Sequence, residues 1–249
     1  MIERDGQLQG QRLGPAERIA FACRPGLSCF NTCCAMKRLP LMPYDLLRLR
    51  QGLGLSAAAV IERYAEMELD PASGWPVLRL RLDAQGRCPL VTPKGCAAYA
   101  HRPAACRTYP LARAVKAGPA GAVAEEAWLR QDTPGCLGWQ AEATLSVAEW
   151  VADQDLADYQ AANDALLPLF CHPRRQGRLR LNQHQIHGVV LALYNLDLWR
   201  QAVARPEFAV RQGFSPALVA AALERDEDLL ILGRDWLMRE LFGVGKEDR

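Results

Sequence analysis

Eight of the nine cysteines of this chain fall into two stretches, and this distribution constrains its fold more than any other feature. The members are Cys23, Cys29, Cys33 and Cys34 in the first stretch, and Cys88, Cys96, Cys106 and Cys136 in the second. Disulfides belong to oxidising compartments, whereas a thiol-rich patch in a reducing cytosol more often holds zinc or an iron–sulfur centre. The distribution therefore predicts that these eight cysteines are metal ligands.

The number of thiols matches two four-coordinate sites. Two zinc ions, two iron–sulfur clusters or one of each would satisfy it, because both metals accept complete cysteine shells. Neighbouring side chains such as Cys33 and Cys34 tend to diverge, so we expect this pair to be shared between two centres, or one thiol to be reserved for chemistry. Free cysteine also behaves as a small buried hydrophobe. That interpretation suits the isolated Cys171 better than the eight grouped thiols.

Charge and hydropathy favour a soluble cytoplasmic protein that does not bind membranes. The first 14 residues are polar and charged, which predicts no secretory signal, and no later stretch approaches the roughly 20 apolar residues of a membrane span. The net charge is only +2, from 30 basic and 28 acidic residues. Nucleic acid is therefore not an expected partner, while a protein substrate or a protein partner stays open.

The composition changes near residue 145, because only Cys171 among the cysteines lies beyond it and helical patterns dominate there. We predict an α+β chain in two parts. Residues 15–145 form an irregular cysteine-cluster metal-binding domain with short helices and a hairpin, and residues 146–249 form a mainly α-helical region. Half of the residues are apolar, so the chain can bury a core without help from a metal.

Local signals predict the elements of the first part. We expect helices over 43–52 and 56–66, the second with Ser56 as its N-cap. Apolar and charged residues alternate over 77–83, which predicts a strand of a hairpin whose turn, 83–87, leads into the second cysteine stretch.

A second hairpin is predicted where strands at 113–116 and 122–128 flank the glycine-containing turn 118–121. The alternative is a loop between helices.

Helices are predicted throughout the second part. A capping box at 146–149 begins a long amphipathic helix that we expect to reach residue 170. Further helices are predicted over 183–202 and 215–242, the last of them with a division at Gly233.

Four segments carry a family resemblance. Residues 21–34, 41–49, 95–103 and 106–110 together resemble the cysteine-cluster proteins of the YkgJ family, described as a zinc- or iron-chelating domain. The resemblance covers residues 21–140 or so, because both cysteine stretches, the Arg-Pro step and the Cys-Arg-x-Tyr-Pro element recur in the same order. It implies a metal-binding domain whose activity is largely unassigned.

The first stretch, Cys-x5-Cys-x3-Cys-Cys, also resembles the cysteine cluster of flagellin lysine N-methylases, which are associated with an iron–sulfur centre and the modification of protein lysines. This resemblance implies an alternative, an iron–sulfur-dependent protein-modifying enzyme. No glycine-rich loop for a methyl donor is recognised after a strand. A third hypothesis is a closed zinc site that only pins loops, with a helical region that binds a partner. Whether the chain is an enzyme stays open.

Other residues of the second stretch have two interpretations. Arg102, Arg107 and Lys94 are expected to offset the negative charge of the thiolates, or to be surface charges. Tyr99 and Tyr109 are expected to cover the site or to pack.

The four histidines are weaker ligand candidates. His101 could replace a thiolate, His172 follows a cysteine, and His184 and His187 share one face of a predicted helix. A solvent-facing position is the favoured interpretation for His101, and an exposed or packed pair is the favoured interpretation for His184 and His187.

Overall fold

The computed structural model describes residues 3–4, 7–8, 10–34, 37–71, 73–142, 144–176 and 179–244. It confirms the α+β class, with helices and small antiparallel sheets. The helices are α1 (Pro43–Leu53), α2 (Ala57–Tyr64), α3 (Ala104–Thr108), α4 (Val147–Asp153), α5 (Ala157–Ala165), α6 (Leu167–Phe170), α7 (Pro173–Gln176), α8 (Gln183–Leu193), α9 (Leu196–Val203), α10 (Pro206–Gln212), α11 (Pro216–Glu224) and α12 (Asp226–Phe242).

The strands pair within small sheets. They are β1 (Glu3–Arg4), β2 (Gln7–Leu8), β3 (Arg12–Leu13), β4 (Arg18–Ile19), β5 (Ala65–Leu69), β6 (Pro76–Leu80), β7 (Val91–Thr92), β8 (Gly95–Cys96), β9 (Leu111–Ala117), β10 (Val123–Arg130) and β11 (Leu145–Ser146). One sheet has three strands in the order β3-β10-β9, and the other pairs are β1-β2, β11-β4, β5-β6 and β7-β8.

The two helices predicted in the first part are present. At the start of α1, the Met42 N–H donates to the Asp45 carboxylate at 2.8 Å, and at the start of α2, the Ala59 N–H donates to Ser56 Oγ at 3.2 Å. The second helix was predicted to continue to Glu66, but the chain changes to strand β5 at Ala65. Pairing with β6 across the whole of β5 replaces the last helical turn.

The strand at 77–83 is confirmed, but the predicted arrangement of its hairpin is wrong. Strand β6 ends at Leu80 and pairs with the preceding strand β5, with Met67 opposite Leu78. The expected turn is present, because the Asp83 N–H donates to the Arg87 carbonyl at 2.8 Å. This turn leads into the irregular segment that carries Cys88. The second predicted hairpin is confirmed as β9-β10.

The long helix predicted from 146 to 170 is divided. Its capping box is confirmed, since the Glu149 N–H donates to Ser146 Oγ at 3.1 Å. The helix then stops where Asp155 has a φ of +49°, a left-handed conformation that does not continue an α-helix. Pro168 lies in the first turn of a further short helix, α6, where the missing N–H of proline costs least.

The other two predicted helices also consist of shorter ones. The first divides before Asn195, whose side chain accepts the Leu198 N–H at 3.4 Å and so caps α9. The last divides at Arg225, between α11 and α12, and the predicted division at Gly233 is wrong. A Cβ atom at Gly233 would lie 2.5 Å from the Ala192 carbonyl oxygen, so glycine here permits α12 to approach α8 closely.

Two apolar cores hold the structure, and each contains residues from both sides of residue 145. The main core joins residues of α1 and β6, such as Leu49 and Leu78, to residues of the helical region, such as Trp199 and Leu229. The smaller core consists of Leu13, Ile19, Phe21, Leu111, Trp128, Val147, Trp150 and Leu156. The division of the chain into two parts at residue 145 stays a prediction.

Half-buried ion pairs add to the contact between α1 and the helical region. Arg50 of α1 pairs with Asp197 of α9 and with Asp226 of α12. Asp226 also pairs with Arg200 at 2.7 Å, and the second oxygen of Asp197 accepts the Ala57 N–H at 2.6 Å. These contacts fix α1 and α2, which frame one side of the cysteine cluster.

Across the described ranges, every helix falls short of the length and apolar content that crossing a membrane requires.

Candidate metal centre

Four thiols from both cysteine stretches line one small cavity of about 40 Å³ at the surface. These are Cys23, Cys29, Cys33 and Cys136, here called the outer thiol group. Cys23 is exposed and the other three are half-buried. The remainder of the cavity wall includes Phe21, Tyr109 and Thr133.

The outer thiol group forms because the segments around Cys23 and Cys136 pack against each other. The Ala22 N–H donates to the Gly138 carbonyl at 3.0 Å, and a Cβ atom at Gly138 would lie 2.6 Å from the Phe21 ring. The Leu137 N–H donates to Cys29 Sγ at 3.3 Å. An N–H group directed at sulfur stabilises negative charge there, as is common around metal-bound thiolates.

The remaining four grouped cysteines are Cys34, Cys88, Cys96 and Cys106, here called the inner thiol group. Cys88 is buried and the other three are half-buried. Their charges affect one another. Burial, followed by the charges of Asp45, Cys88 and Cys96, raises the pKa of Cys106 to about 12. The Cys34 pKa is also raised, first by its hydrogen bond with Cys33 and burial, then by charges that include those of Cys106 and Cys88.

Asp45 holds the helix that carries Cys106. Its side chain is almost completely buried, at 1% exposure, and one carboxylate oxygen accepts the Ala104 N–H at the start of α3 at 2.8 Å. The other oxygen accepts the Met42 N–H at the start of α1. Burial raises the Asp45 pKa to about 6. The sequence analysis missed this residue, because its partner Ala104 lies 59 positions away and no local pattern reveals the contact.

Arg102 and Arg107 are buried, so the surface-charge interpretation is wrong for both. Arg107 donates to the backbone carbonyls of Ala100 and Arg102, and to that of Gln154 at 2.8 Å. The Arg102 charge opposes the rise in the pKa of Cys96 and Cys106, as expected for a cation near thiols. Lys94 is exposed. The two arginines thus bind the segment between Cys96 and Cys106 to the helical region.

Cys33 connects the two thiol groups. The Cys23 and Cys34 thiols both donate to its sulfur, and these two hydrogen bonds, together with the charge of Lys37, lower the Cys33 pKa to about 3. Both adjacent cysteines lie on the short 3-10 helix Thr32–Cys34.

Lys37 and Tyr109 lie beside the outer thiol group. Lys37 Nζ is 4.1 Å from the centre of the Tyr109 ring and 3.4 Å from Thr133 Oγ1. The Tyr109 hydroxyl lies near Thr133 and Cys136, and burial raises its pKa. Tyr99, by contrast, is 61% exposed and its ring centre lies 3.8 Å from the Arg102 guanidinium. The sequence analysis also missed Lys37, although the position of this residue shortly after Cys34 was an available signal.

Both groups are neighbouring thiols rather than closed coordination shells. Within the described ranges, no three cysteine, histidine or acidic side chains form a group arranged to hold a metal ion. The donor chemistry still fits zinc or an iron–sulfur centre, because each group supplies four thiols and no competing ligand type. Metal binding would require the sulfurs to approach one another further.

The histidines have other surroundings. A Cβ atom at Gly52 would lie 2.6 Å from that of His101, which shows how closely this histidine packs on α1. His172 stacks on Phe242 at 3.8 Å between ring centres, and its Nδ1 accepts the Arg174 N–H at 3.2 Å. His184 and His187 are exposed. The favoured interpretation is thus confirmed for His184 and His187, whereas the expected solvent-facing position of His101 is wrong, because its ring packs on α1 and its Nδ1 is buried.

Comparison with known proteins identifies the cysteine-rich part. Residues 22–134 match the family model CxxCxxCC, described as a "putative zinc- or iron-chelating domain". The matched range contains all of the grouped cysteines except Cys136, which follows it directly. Neither curated proteins nor solved structures give a significant match. The resemblance to lysine N-methylases stays a prediction. Over residues 22–134, this chain is thus similar to the family described as zinc- or iron-chelating domains.

Proposed function

We propose that this protein holds two metal centres, one in the outer and one in the inner thiol group, each as zinc or as an iron–sulfur cluster. The observation that carries this proposal is the sorting of eight thiols into two sets of four. Each set combines both cysteine stretches, although the stretches are far apart in the sequence. In both sets the number of thiols equals that of a complete cysteine shell.

The sharing of the adjacent cysteines supports this division. Cys33 faces Cys23 in the outer thiol group, while Cys34 interacts electrostatically with Cys88 and Cys106 in the inner one. An adjacent pair of cysteines can therefore supply one ligand to each thiol group.

Electrostatics also favours a cation in the inner thiol group. Burial is the first cause of the raised pKa at Cys88, Cys96 and Cys106, so four thiolates together would be strongly disfavoured there without a positive charge. A bound metal supplies that charge and displaces the thiol protons. The same chemistry explains why such a site is retained inside a protein that has sufficient apolar core without it.

Purification under anaerobic conditions, followed by a visible spectrum and metal analysis, tests this function. A brown protein that absorbs near roughly 400 nm would indicate iron–sulfur centres, and a colourless protein with about two zinc ions per chain would indicate zinc. The Cys171→Ser variant is the matched control, because Cys171 belongs to neither thiol group, and it should retain the full metal content. A protein that contains neither metal and does not respond to a chelator would refute the proposal.

A further inference from the structure

We propose that the outer thiol group exchanges its metal with external thiolate ligands by releasing Cys23, whereas the inner thiol group retains its metal. This inference rests on the proposed function, because both groups must hold a metal. The two groups would thus behave differently, although each consists of four cysteines.

Access is the first argument. Cys23 is the exposed member of the nine cysteines, and it borders the surface cavity of about 40 Å³. A single water needs only about 10–15 Å³ of such space, so the reacting atoms of a small thiol can enter beside the sulfurs. The inner thiol group has no exposed member.

Anchoring is the second argument. Residues 23–26 are exposed in succession and belong to no helix or strand. Two other outer thiols have contacts of their own, because Cys29 Sγ accepts the Leu137 N–H and the Cys136 N–H donates to the Thr133 carbonyl at 3.1 Å. The chain is anchored just before Cys23, where the Ala22 N–H donates to the Gly138 carbonyl, and it is exposed from Cys23 onward. Release of Cys23 therefore requires movement of this exposed segment alone.

Charge is the third argument, and it indicates the chemistry of the incoming ligand. The Lys37 ammonium lies beside the cavity, over the Tyr109 ring, and its charge acts on Cys33. A fixed cation at the entrance favours an anionic ligand over a neutral one. A thiolate combines that charge with the soft sulfur donor that zinc and iron accept from cysteine.

The exchange is a ligand substitution. The sulfur of the incoming thiolate forms a bond to the metal while the bond between the metal and Cys23 Sγ breaks. Each sulfur keeps its own electron pair and the metal keeps its oxidation state. The released Cys23 thiolate is exposed and then takes a proton from solvent.

The inner thiol group shows the opposite features. Cys88 is buried, and Cys106 lies on α3, whose first N–H is bound by the buried Asp45. Arg107 donates to the carbonyls of Ala100 and Arg102 in the preceding segment and to that of Gln154 in the helical region. Release of Cys106 would disturb these contacts, so this metal should leave slowly.

Release of zinc from the zinc-loaded full-length protein to a chromogenic chelator, with and without glutathione, tests the inference. We expect a fast phase and a slow phase of equal amplitude, separated by at least about tenfold in rate, with only the fast phase accelerated by glutathione. In Cys23→Ser, the zinc ion of the fast phase should be absent before mixing or should leave even faster, while the slow phase should not change. In the Cys171→Ser control, both phases should match those of wild type.

Two results would overturn the inference while the proposed function stands: release of both zinc ions at one rate, or retention of the glutathione-sensitive phase, unchanged, in Cys23→Ser. A protein that binds no zinc under reducing conditions would instead remove the proposed function itself.

Discussion

The outer and inner thiol groups each contain four cysteine side chains, but the surroundings of the two groups differ. The outer thiol group borders a surface cavity and includes the exposed Cys23. The inner thiol group includes the buried Cys88, and buried polar residues tie the segments that carry it to α1 and to the helical region. If both groups hold a metal, we expect burial and backbone contacts, rather than the number of thiols, to determine how firmly each metal is held.

Cys33 and Cys34 show the same contrast within one peptide unit. The pKa values of the two thiols shift in opposite directions. The pKa of Cys33 is lowered because its sulfur accepts hydrogen bonds from Cys23 and Cys34, and the pKa of Cys34 is raised because its thiol donates one of them. The hydrogen bond between the two adjacent thiols therefore shifts their pKa values in opposite directions.

The largest effect is expected for Cys106→Ser, which removes a ligand from the inner thiol group. Loss of a structural metal is among the few single changes that cost more than about 4 kcal/mol of stability. We therefore expect loss of one metal per chain together with a severe decrease in the free energy of unfolding. Metal analysis and urea unfolding of the anaerobic protein measure both. A variant with one metal fewer and unchanged stability would show that the inner metal does not support the fold.

Arg107→Met should have the next largest effect, of roughly 3 kcal/mol, because it removes a buried cation that donates to three backbone carbonyls, one of them buried and two part-buried. Lys94→Ala is the matched control, since Lys94 is a cation of the same cysteine stretch but is exposed, and its substitution should cost less than about 0.5 kcal/mol. Urea unfolding compares them. Equal costs for the two variants would contradict the positioning role of Arg107.

Asp45→Asn should change how stability depends on pH. The folded-state pKa of about 6 lies above the ordinary 3.8, so ionisation of Asp45 opposes folding, and its contribution lowers stability as pH rises through this interval. Asparagine does not ionise, so the Asp45→Asn variant does not lose this stability. Between about pH 4 and pH 7, its free energy of unfolding should therefore increase relative to that of wild type by up to roughly 3 kcal/mol.

This prediction is measured as the difference between the two unfolding free energies in reduced, metal-free protein, where the thiols are the same in both. A difference that does not vary with pH would show that Asp45 ionises normally in the folded state.

Cys29→Ser should have the smallest effect on stability, about 1 kcal/mol, because the outer thiol group lies at the surface. One metal per chain should nevertheless be lost, as in Cys106→Ser. The pair of variants therefore separates metal content from stability. If Cys29→Ser destabilised the protein as much as Cys106→Ser, the proposed difference between the groups would be wrong.

Local signals in the sequence predicted the elements around the site well. The caps at Ser56 and Ser146 and the hairpin β9-β10 depend on neighbouring residues, and all three are present. The helix divisions at Asp155 and Arg225 were missed, because neither position carries glycine or proline as a signal.

The division of the thiols depends on long-range contacts that spacing does not contain. Cys136 lines the same cavity as Cys23 because Gly138 packs against Phe21, and the charge of Cys106 acts on Cys34 although the two residues lie far apart in the sequence. The sequence predicted the eight candidate ligands as one set, whereas their assignment to two groups required the fold.

Native mass spectrometry of combined variants tests the central claim most directly, because it counts metal on each intact chain. Wild type should carry two metal centres. Cys29→Ser combined with Cys33→Ser should keep one, because both changes affect the outer thiol group. Cys29→Ser combined with Cys34→Ser should keep none, because the changes affect different groups. Equal metal content in the two double variants would contradict the claim that Cys33 and Cys34 serve separate centres.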